Sequence, residues 1–372
     1  MNTRNSSIEL LRILAMVMII AYHIFYHCIN SQLSDPTSIA QLGNYWYCQP
    51  VFAKRLGILA LISPMGQVGN AIFLIISGYF MAHKQSIDLG KIAKKLLMQM
   101  GFAAIVLGCA SIVLYRSGCT KPLTLIDFNA FNWMSWYAGY YFLVMVLAQL
   151  FLNKLLARWD RKTYFMCTIT LFALVQLSWS ASLIESIEGG QTLAIGVFFY
   201  MLGGYIKRFD PFRSVKTWVI PTVLIVLNLF VLANYYINTA AKIITYNPDG
   251  GALFTPAIPL YVWPRQLIPI LMGIALFELF RRITIPTNRI INFIAASTFM
   301  AYLLHDSKLF YALWSWENWV SLLHNALGQF TTNYIVCVLA SFLAGLVCYC
   351  LYVLASKVIA FSKPLILRTP TK

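Results

Sequence analysis

Charge is scarce in this chain of 372 residues: only 11% of them are charged, and 12 acidic residues stand against 28 Lys and Arg. A soluble domain carries charge on about a quarter of its residues, so a water-facing globule is excluded. The few carboxylates also leave little with which to build an oxygen-rich metal cage. Eight cysteines show no C-x-x-C or zinc-type spacing, which excludes a metal ribbon and marks most of them as small apolar packing residues. Cys28, Cys48 and Cys119 fall between apolar runs and leave room for one disulfide. A cleavable signal peptide is excluded too, because Arg12 and His23 interrupt the first apolar run and no small-residue cleavage site follows it.

What is present is hydrophobic: 60% of the residues, with a mean hydropathy of +0.71. The apolar residues come in blocks near 8–27, 64–82, 96–115, 133–153, 164–182, 192–206, 217–237, 265–280, 291–311 and 333–356. This pattern predicts an all-α polytopic membrane protein of about ten transmembrane helices. Basic residues cluster at alternate connections, around Lys84–Lys95, Lys154–Lys162, Lys207–Lys216 and Arg281–Arg289. The positive-inside bias then puts both termini in the cytoplasm of a multi-pass protein of the plasma or inner membrane. The net charge of +16 is thus read as topology and lipid headgroup contact, with no nucleic-acid partner. The whole of 1–372 reads as a single membrane domain with no fused soluble domain.

Ionisable groups inside such a helix are expensive and mark functional candidates. Arg12 and His23 are eleven residues apart, about 1100° of rotation, so they share a face with ~16 Å between them along the axis. Arg12 would lie near one membrane surface and His23 deep in the hydrocarbon. A neutral imidazole suits the removal of a hydroxyl proton near neutral pH; hydrogen bonding to a neighbouring helix is the structural alternative. Arg12 stays protonated, and either binds an anionic or carbonyl group or pairs with Glu9. His27 gives the pair a His-x3-His spacing, but with no third ligand evident no metal is expected. Helical depth puts His305 level with His23, where either the two share a cavity with Asp306 and Lys308 at its rim or His305 serves a packing or interfacial role.

The second block reads Pro64-Met-Gly66-Gln-Val-Gly69-Asn70-Ala-Ile-Phe73-Leu-Ile-Ile-Ser77-Gly78-Tyr79-Phe80. Its small residues permit close helix approach, and Ser77 can bond a carbonyl one turn back, so Ser77 and Gly78 read as a helix-packing motif. Between the first two blocks, Cys28 to about Leu61 is expected to be an outer loop, with Tyr45, Trp46 and Tyr47 as an interfacial belt or a carbohydrate-facing surface.

Glu9-Leu-Leu-Arg12 with His23, followed by Phe73-Leu-Ile-Ile-Ser77-Gly78-Tyr79, resembles the paired signature of acyltransferase family 3. Phe198-Phe-Tyr-Met-Leu-Gly203-Gly204-Tyr205 and Ser297-Thr298-Phe299-Met-Ala-Tyr302-Leu-Leu-His305 resemble two later family segments. The resemblance implies a ten-helix enzyme that moves an acetyl or other short acyl group from acetyl-CoA to a hydroxyl of a cell-envelope carbohydrate, either a surface polysaccharide or a lipid-linked sugar. It implies catalytic roles for His23, Arg12 and His305, with His23 as base or transient acyl carrier. Donor binding falls to Arg12 and to the cytoplasmic Lys84, Lys91, Lys94 and Lys95. Many relatives carry arginines where these lysines stand, and lysine offers a point charge in place of a bidentate fork. Acceptor specificity is expected in the outer loop and in Thr239–Pro264, with Tyr246, Asn247, Asp249 and the Gly250-Gly251 turn. A transporter or exporter of glycan or lipid-linked sugar is the alternative, but it should show two halves with matching interrupted helices, and no such symmetry is seen. A structural partner of a polysaccharide synthase is a third reading, which predicts that His23 is replaceable.

Overall fold

The computed structural model describes residues 5–37, 48–118, 128–176, 190–246, 255, 256, 258 and 267–366. The fold is 85% helix, with no strand among the described residues. α1 (Ser6–Ile24) is started by Asn5, whose Oδ1 accepts from the Ser7 and Ile8 amides at 3.0 and 3.3 Å, relieving two orphan donors of the first turn. The helix continues through a π turn, Phe25–Ile29, and a last α turn, Asn30–Ser34. Then follow α2 (Pro50–Ile62), α3 (Met65–Met81), α4 (Leu89–Arg116), α5 (Phe128–Leu147), α6 (Arg161–Gln176), α7 (Gly190–Phe209) and α8 (Val219–Tyr235). The chain closes with α9 (Leu267–Arg282), α10 (Arg289–Ala296), α11 (Thr298–His305), α12 (Lys308–Trp314), α13 (Trp319–Asn325) and α14 (Leu327–Ile366).

Among the described residues, six helical runs are long and apolar enough to cross a membrane: Ser6–Ser34, Pro50–Met81, Leu89–Arg116, Trp136–Arg158, Val219–Thr245 and Leu327–Ile359. Exposed apolar residues such as Ile105, Val113, Ile237 and Val358 stand on their outer faces, as a lipid-facing surface requires. Of the other four expected blocks, 192–206 lies within the uninterrupted 20-residue α7, and the remaining three are helical within the described residues but shorter or interrupted. The ninth is not one span over 291–311: it breaks at Ser297, whose hydroxyl bonds the Ile294 carbonyl at 2.7 Å, and ends at His305. The reason is local, since Ser297 and Thr298 both turn their hydroxyls back onto the preceding turn.

The expected outer loop is also corrected. α1 runs on to Ser34, and α2 occupies Pro50–Ile62, joined to α3 across Ser63 and Pro64. Pro64 has no N–H to continue the ladder, which accounts for the break. α2 is fixed by the Tyr235 hydroxyl, which donates to the Ala53 carbonyl at 2.5 Å, and by Arg55, which donates to the Leu323 and His324 carbonyls. Tyr45, Trp46 and Tyr47 lie outside the described residues, as do Cys119, Asn247, Asp249, Gly250 and Gly251. Cys28 and Cys48 are free thiols.

α3 is the central helix, packed against α1, α7 and α9. Glycines make those contacts: a Cβ at Gly69 would stand 2.7 Å from the Ala15 carbonyl oxygen, and one at Gly66 would overlap the Tyr22 ring. On the other side Gly78 abuts the Tyr200 carbonyl, while Gly203 of α7 abuts the Ile75 carbonyl of α3. Such close approach is how helices gain packing energy where lipid offers no hydrophobic drive.

The α9 end holds a buried charge network. Glu278, 2% exposed, accepts from Arg281 Nε at 2.7 Å and Nη2 at 2.8 Å, and from Arg282 Nε at 2.7 Å. Arg281 reaches on to Asp210 at 2.5 Å, and Arg282 to the Phe212 and Val215 carbonyls at 2.6 Å. Nearby, the Ser7 hydroxyl donates to the Ile283 carbonyl at 2.6 Å and accepts from the Ile285 amide at 3.1 Å. The start of α1 is therefore pinned to the α9–α10 connection, which fixes the level of the polar residues further along it.

Gly78→Ala should lower unfolding stability by about 1–3 kcal/mol, the usual cost of overpacking, because the new methyl meets backbone that cannot give way. Thermal unfolding in lipid nanodiscs checks this, with Gly101→Ala, which faces open space, as the neutral control.

Candidate active site

Two cavities lie along α1. The inner one, about 250 Å³, is lined by Arg12, Asn70, Ser77, Lys95, Tyr137 and Tyr302 among others. The outer one, about 370 Å³, includes Tyr22, His23, His27, Gln67, Asn70 and Trp136. Asn70 of α3 is the residue common to both linings among the described residues. Arg12 and His23 thus open onto different chambers of one row, in keeping with their axial separation.

His23 and His305 are directly bonded, Nδ1 of the first lying 2.9 Å from Nε2 of the second. His305 Nδ1 sits 2.8 Å from the Ala301 carbonyl. A carbonyl only accepts, so His305 carries its proton on Nδ1, and with both rings neutral its Nε2 accepts the proton of His23 Nδ1. That tautomer leaves the lone pair of His23 on Nε2. His305 is fully buried and does not line either cavity: it stands behind His23, which corrects the expectation of two histidines sharing one chamber.

Asp306 is buried as well, at 6% exposure, where a rim position was expected; Lys308 is exposed. The Tyr311 hydroxyl donates to Asp306 Oδ1, and that oxygen lies 3.7 Å from His23 Nδ1. The distance is too long for a hydrogen bond but short enough for the carboxylate to stabilise an imidazolium formed at His23. His27 stacks on Tyr311 with 3.9 Å between ring centroids. His23, His27 and Asp306 offer ligand-type atoms within 4.8 Å of one another, so the third group that the sequence did not reveal beside His-x3-His is Asp306. Within this group His23 Nδ1 is bonded to His305 and Asp306 Oδ1 accepts from Tyr311, whereas Asp306 Oδ2 is buried with no hydrogen-bond partner among the described residues.

At the inner end Arg12 pairs with Glu9 one turn away, at 3.2 and 3.4 Å to its two oxygens, and remains partly exposed to the inner cavity. Of the four lysines, Lys95 reaches that cavity. Lys84, Lys91 and Lys94 are exposed and do not line it, the Lys91 amide being taken by the N-cap Asp88 at 2.8 Å. The Ser77 hydroxyl donates to the Phe73 carbonyl at 2.8 Å and lines the inner cavity together with Tyr141. Gly78 faces α7 rather than the cavity.

A family model described as the acyltransferase domain, that of acyltransferase family 3, matches residues 5–353. The chain belongs to acyltransferase family 3. No curated protein and no solved structure matches it. Membership, with the six apolar helical runs, makes this chain a membrane acyltransferase. The match covers all of the His23, Arg12 and His305 surroundings.

For a member of this family, the residues that sequence reading passed over are Asn70, Tyr137 and Tyr311. Asn70 had a signal, an amide beside Gly69 in a helix otherwise apolar at that level. Tyr137 and Tyr311 had none, because they sit among many aromatics and only the packing singles them out.

Replacing His305 with Phe keeps a buried ring but removes the acceptor for His23 Nδ1–H. The ¹⁵N shifts of labelled protein in nanodiscs should show His23 held in the Nδ1–H tautomer in the wild type and lose that preference in His305→Phe.

Proposed function

We propose that this protein is an O-acyltransferase of the plasma membrane that moves an acetyl or other short acyl group from acyl-CoA to a hydroxyl of a cell-envelope or exported polysaccharide sugar. The observation that carries this reading is the bonded pair, His23 Nδ1 to His305 Nε2 at 2.9 Å. It sets the lone pair of His23 on Nε2 while His23 lines the outer cavity. The chain crosses the membrane about ten times with both termini cytoplasmic, and the inner cavity opens toward the cytosol.

Coenzyme A carries several phosphates, and Arg12 and Lys95 at the inner cavity supply positive charge to meet them. Arg12 is already paired with Glu9, so it offers its remaining N–H groups without being a lone buried charge. Lys84, Lys91 and Lys94 lie on the exposed approach and raise the local donor concentration. The long unbranched pantetheine arm then runs past Asn70 and delivers the thioester to His23.

The acceptor hydroxyl enters from the outer cavity, where Tyr22, Tyr26, Trp136 and Tyr140 give a sugar the apolar and hydrogen-bonding faces it needs. His23 Nε2 takes the hydroxyl proton as the oxygen attacks the thioester carbonyl carbon. His305 holds the ring and its tautomer, and Asp306 stabilises the imidazolium. When the tetrahedral intermediate collapses the C–S bond breaks, the ester remains on the sugar, and His23 returns its proton to the thiolate leaving group. The transfer needs no redox change.

Proton NMR of envelope polysaccharide tests the reading in a deletion strain carrying either the wild-type chain or His23→Ala at equal membrane abundance. Wild type should restore acetyl esters and His23→Ala should not. Equal restoration by both would make His23 structural, and a change in polymer export with no change in esters would favour transport. In a purified assay, Lys95→Ala should raise KM for acetyl-CoA several-fold, the order of one charge-assisted contact, and by more than Lys94→Ala, which removes only longer-range attraction.

A further inference from the structure

Attack on a thioester turns its carbonyl oxygen into an oxyanion, and in a water-excluded site that charge demands preorganised donors. The groups discussed so far do not provide them at the level of His23. Arg12 lies ~16 Å along α1 from His23 and is turned to Glu9, while His23 and His305 are bonded to each other.

Two further polar side chains line the row of cavities, Tyr137 beside the inner one and Asn70 beside both. The Tyr137 hydroxyl is buried and makes no hydrogen bond among the described residues, although Tyr137 lines the inner cavity. Its backbone N–H donates to the Tyr302 hydroxyl at 3.2 Å, which ties α5 at this point to α11, the helix that carries His305 one turn further on. A buried donor without an acceptor is costly and calls for an explanation in the native structure. Asn70 borders both cavities. Its neighbours Gly66 and Gly69 press α3 against Tyr22, Ile19 and the Ala15 carbonyl, which sets Asn70 beside the stretch of α1 that separates Arg12 from His23. Any donor arm passing from the inner to the outer cavity goes by its amide.

We infer that the Asn70 amide and the Tyr137 hydroxyl form the oxyanion-binding pair of the acyl transfer, both donating to the thioester oxygen as the acceptor attacks. The inference rests on the acyltransferase reading and deepens it. As the sugar oxygen bonds to the carbonyl carbon, the π electrons move to the carbonyl oxygen, where the Asn70 N–H and Tyr137 O–H meet them. On collapse the electrons return, the C–S bond breaks, and the His23 proton goes to sulfur. Neither Asn70 nor Tyr137 gains or loses a proton.

The full chain in nanodiscs is assayed for thiol release from acetyl-CoA, with polysaccharide isolated from the deletion strain as acceptor. Asn70→Ala, Asn70→Asp and Tyr137→Phe are compared with wild type. The expected result is a fall in kcat of roughly 10²- to 10³-fold for each variant, with KM for acetyl-CoA within about threefold of wild type. S-ethyl-CoA, a thioether that lacks the thioester carbonyl, should bind wild type and variants equally, which separates loss of the oxyanion site from loss of fold. An unchanged kcat, or a loss confined to KM with weakened S-ethyl-CoA binding, overturns the inference while leaving the acyltransferase intact. A wild-type protein that binds S-ethyl-CoA but releases no thiol overturns the acyl-transfer reading, and the oxyanion pair with it.

Discussion

Everything around the cavities depends on the closeness with which α3 lies between α1 and α7. The helices touch through glycine: Gly66 and Gly69 against α1, Gly78 against the Tyr200 carbonyl, and Gly203 back against the Ile75 carbonyl. Because these contacts involve backbone, they fix the height of one helix against its neighbour as well as their spacing. That height places Ser77 and Asn70 opposite the polar face of α1. With bulkier residues the helices would stand apart, and the two chambers would merge into a gap that lipid or water could fill.

Within that frame, polar groups are buried by two different means. The Glu278 carboxylate is matched by two guanidinium groups and tied through them to Asp210 and the carbonyls of the α7–α8 connection. It is a structural clasp, and removing a partner would leave an uncompensated charge. The histidines are buried as a neutral relay, each proton assigned by the acceptor behind it and ending on the Ala301 carbonyl. A neutral relay burdens the surrounding hydrocarbon far less than an ion pair would, and it leaves one nitrogen for chemistry. Asp306, restrained by Tyr311, stays just outside hydrogen-bond range of His23. Its influence is therefore felt chiefly when His23 becomes charged.

Much of this was legible in the sequence. Arg12 and His23 share a face by helical arithmetic, and they open onto successive cavities along that face. The glycines of the second block announced close packing. The depth of His305 was also legible, but its place behind His23 was not, since it depends on the break at Ser297, the stop at Asp306 and the folding back of α12 that brings Tyr311 over Asp306. Helix α2 was hidden because Lys54, Arg55 and Gly57 interrupt its apolar residues, and its partners Tyr235 and His324 are far away in sequence. Asp306 as a neighbour of His23 and His27 was invisible for the same reason: proximity between opposite ends of the chain leaves no local periodicity. The family resemblance drawn from four short segments extends, by the match to residues 5–353, over nearly the whole chain.

The π turn at Phe25–Ile29 divides the first helix into two parts with independent phase. Up to His23 the helix keeps the regular rotation that lines Arg12 up with His23, and beyond it the wider turn resets which residues face inward, His27 against Tyr311 among them. A wider turn of this kind amounts to one extra residue in a helix. The His27 end of the helix can therefore change in sequence and orientation while the stretch from Arg12 to His23 keeps its register. In the proposed acyl transfer, one continuous rod then lets the acceptor side and the donor side evolve separately.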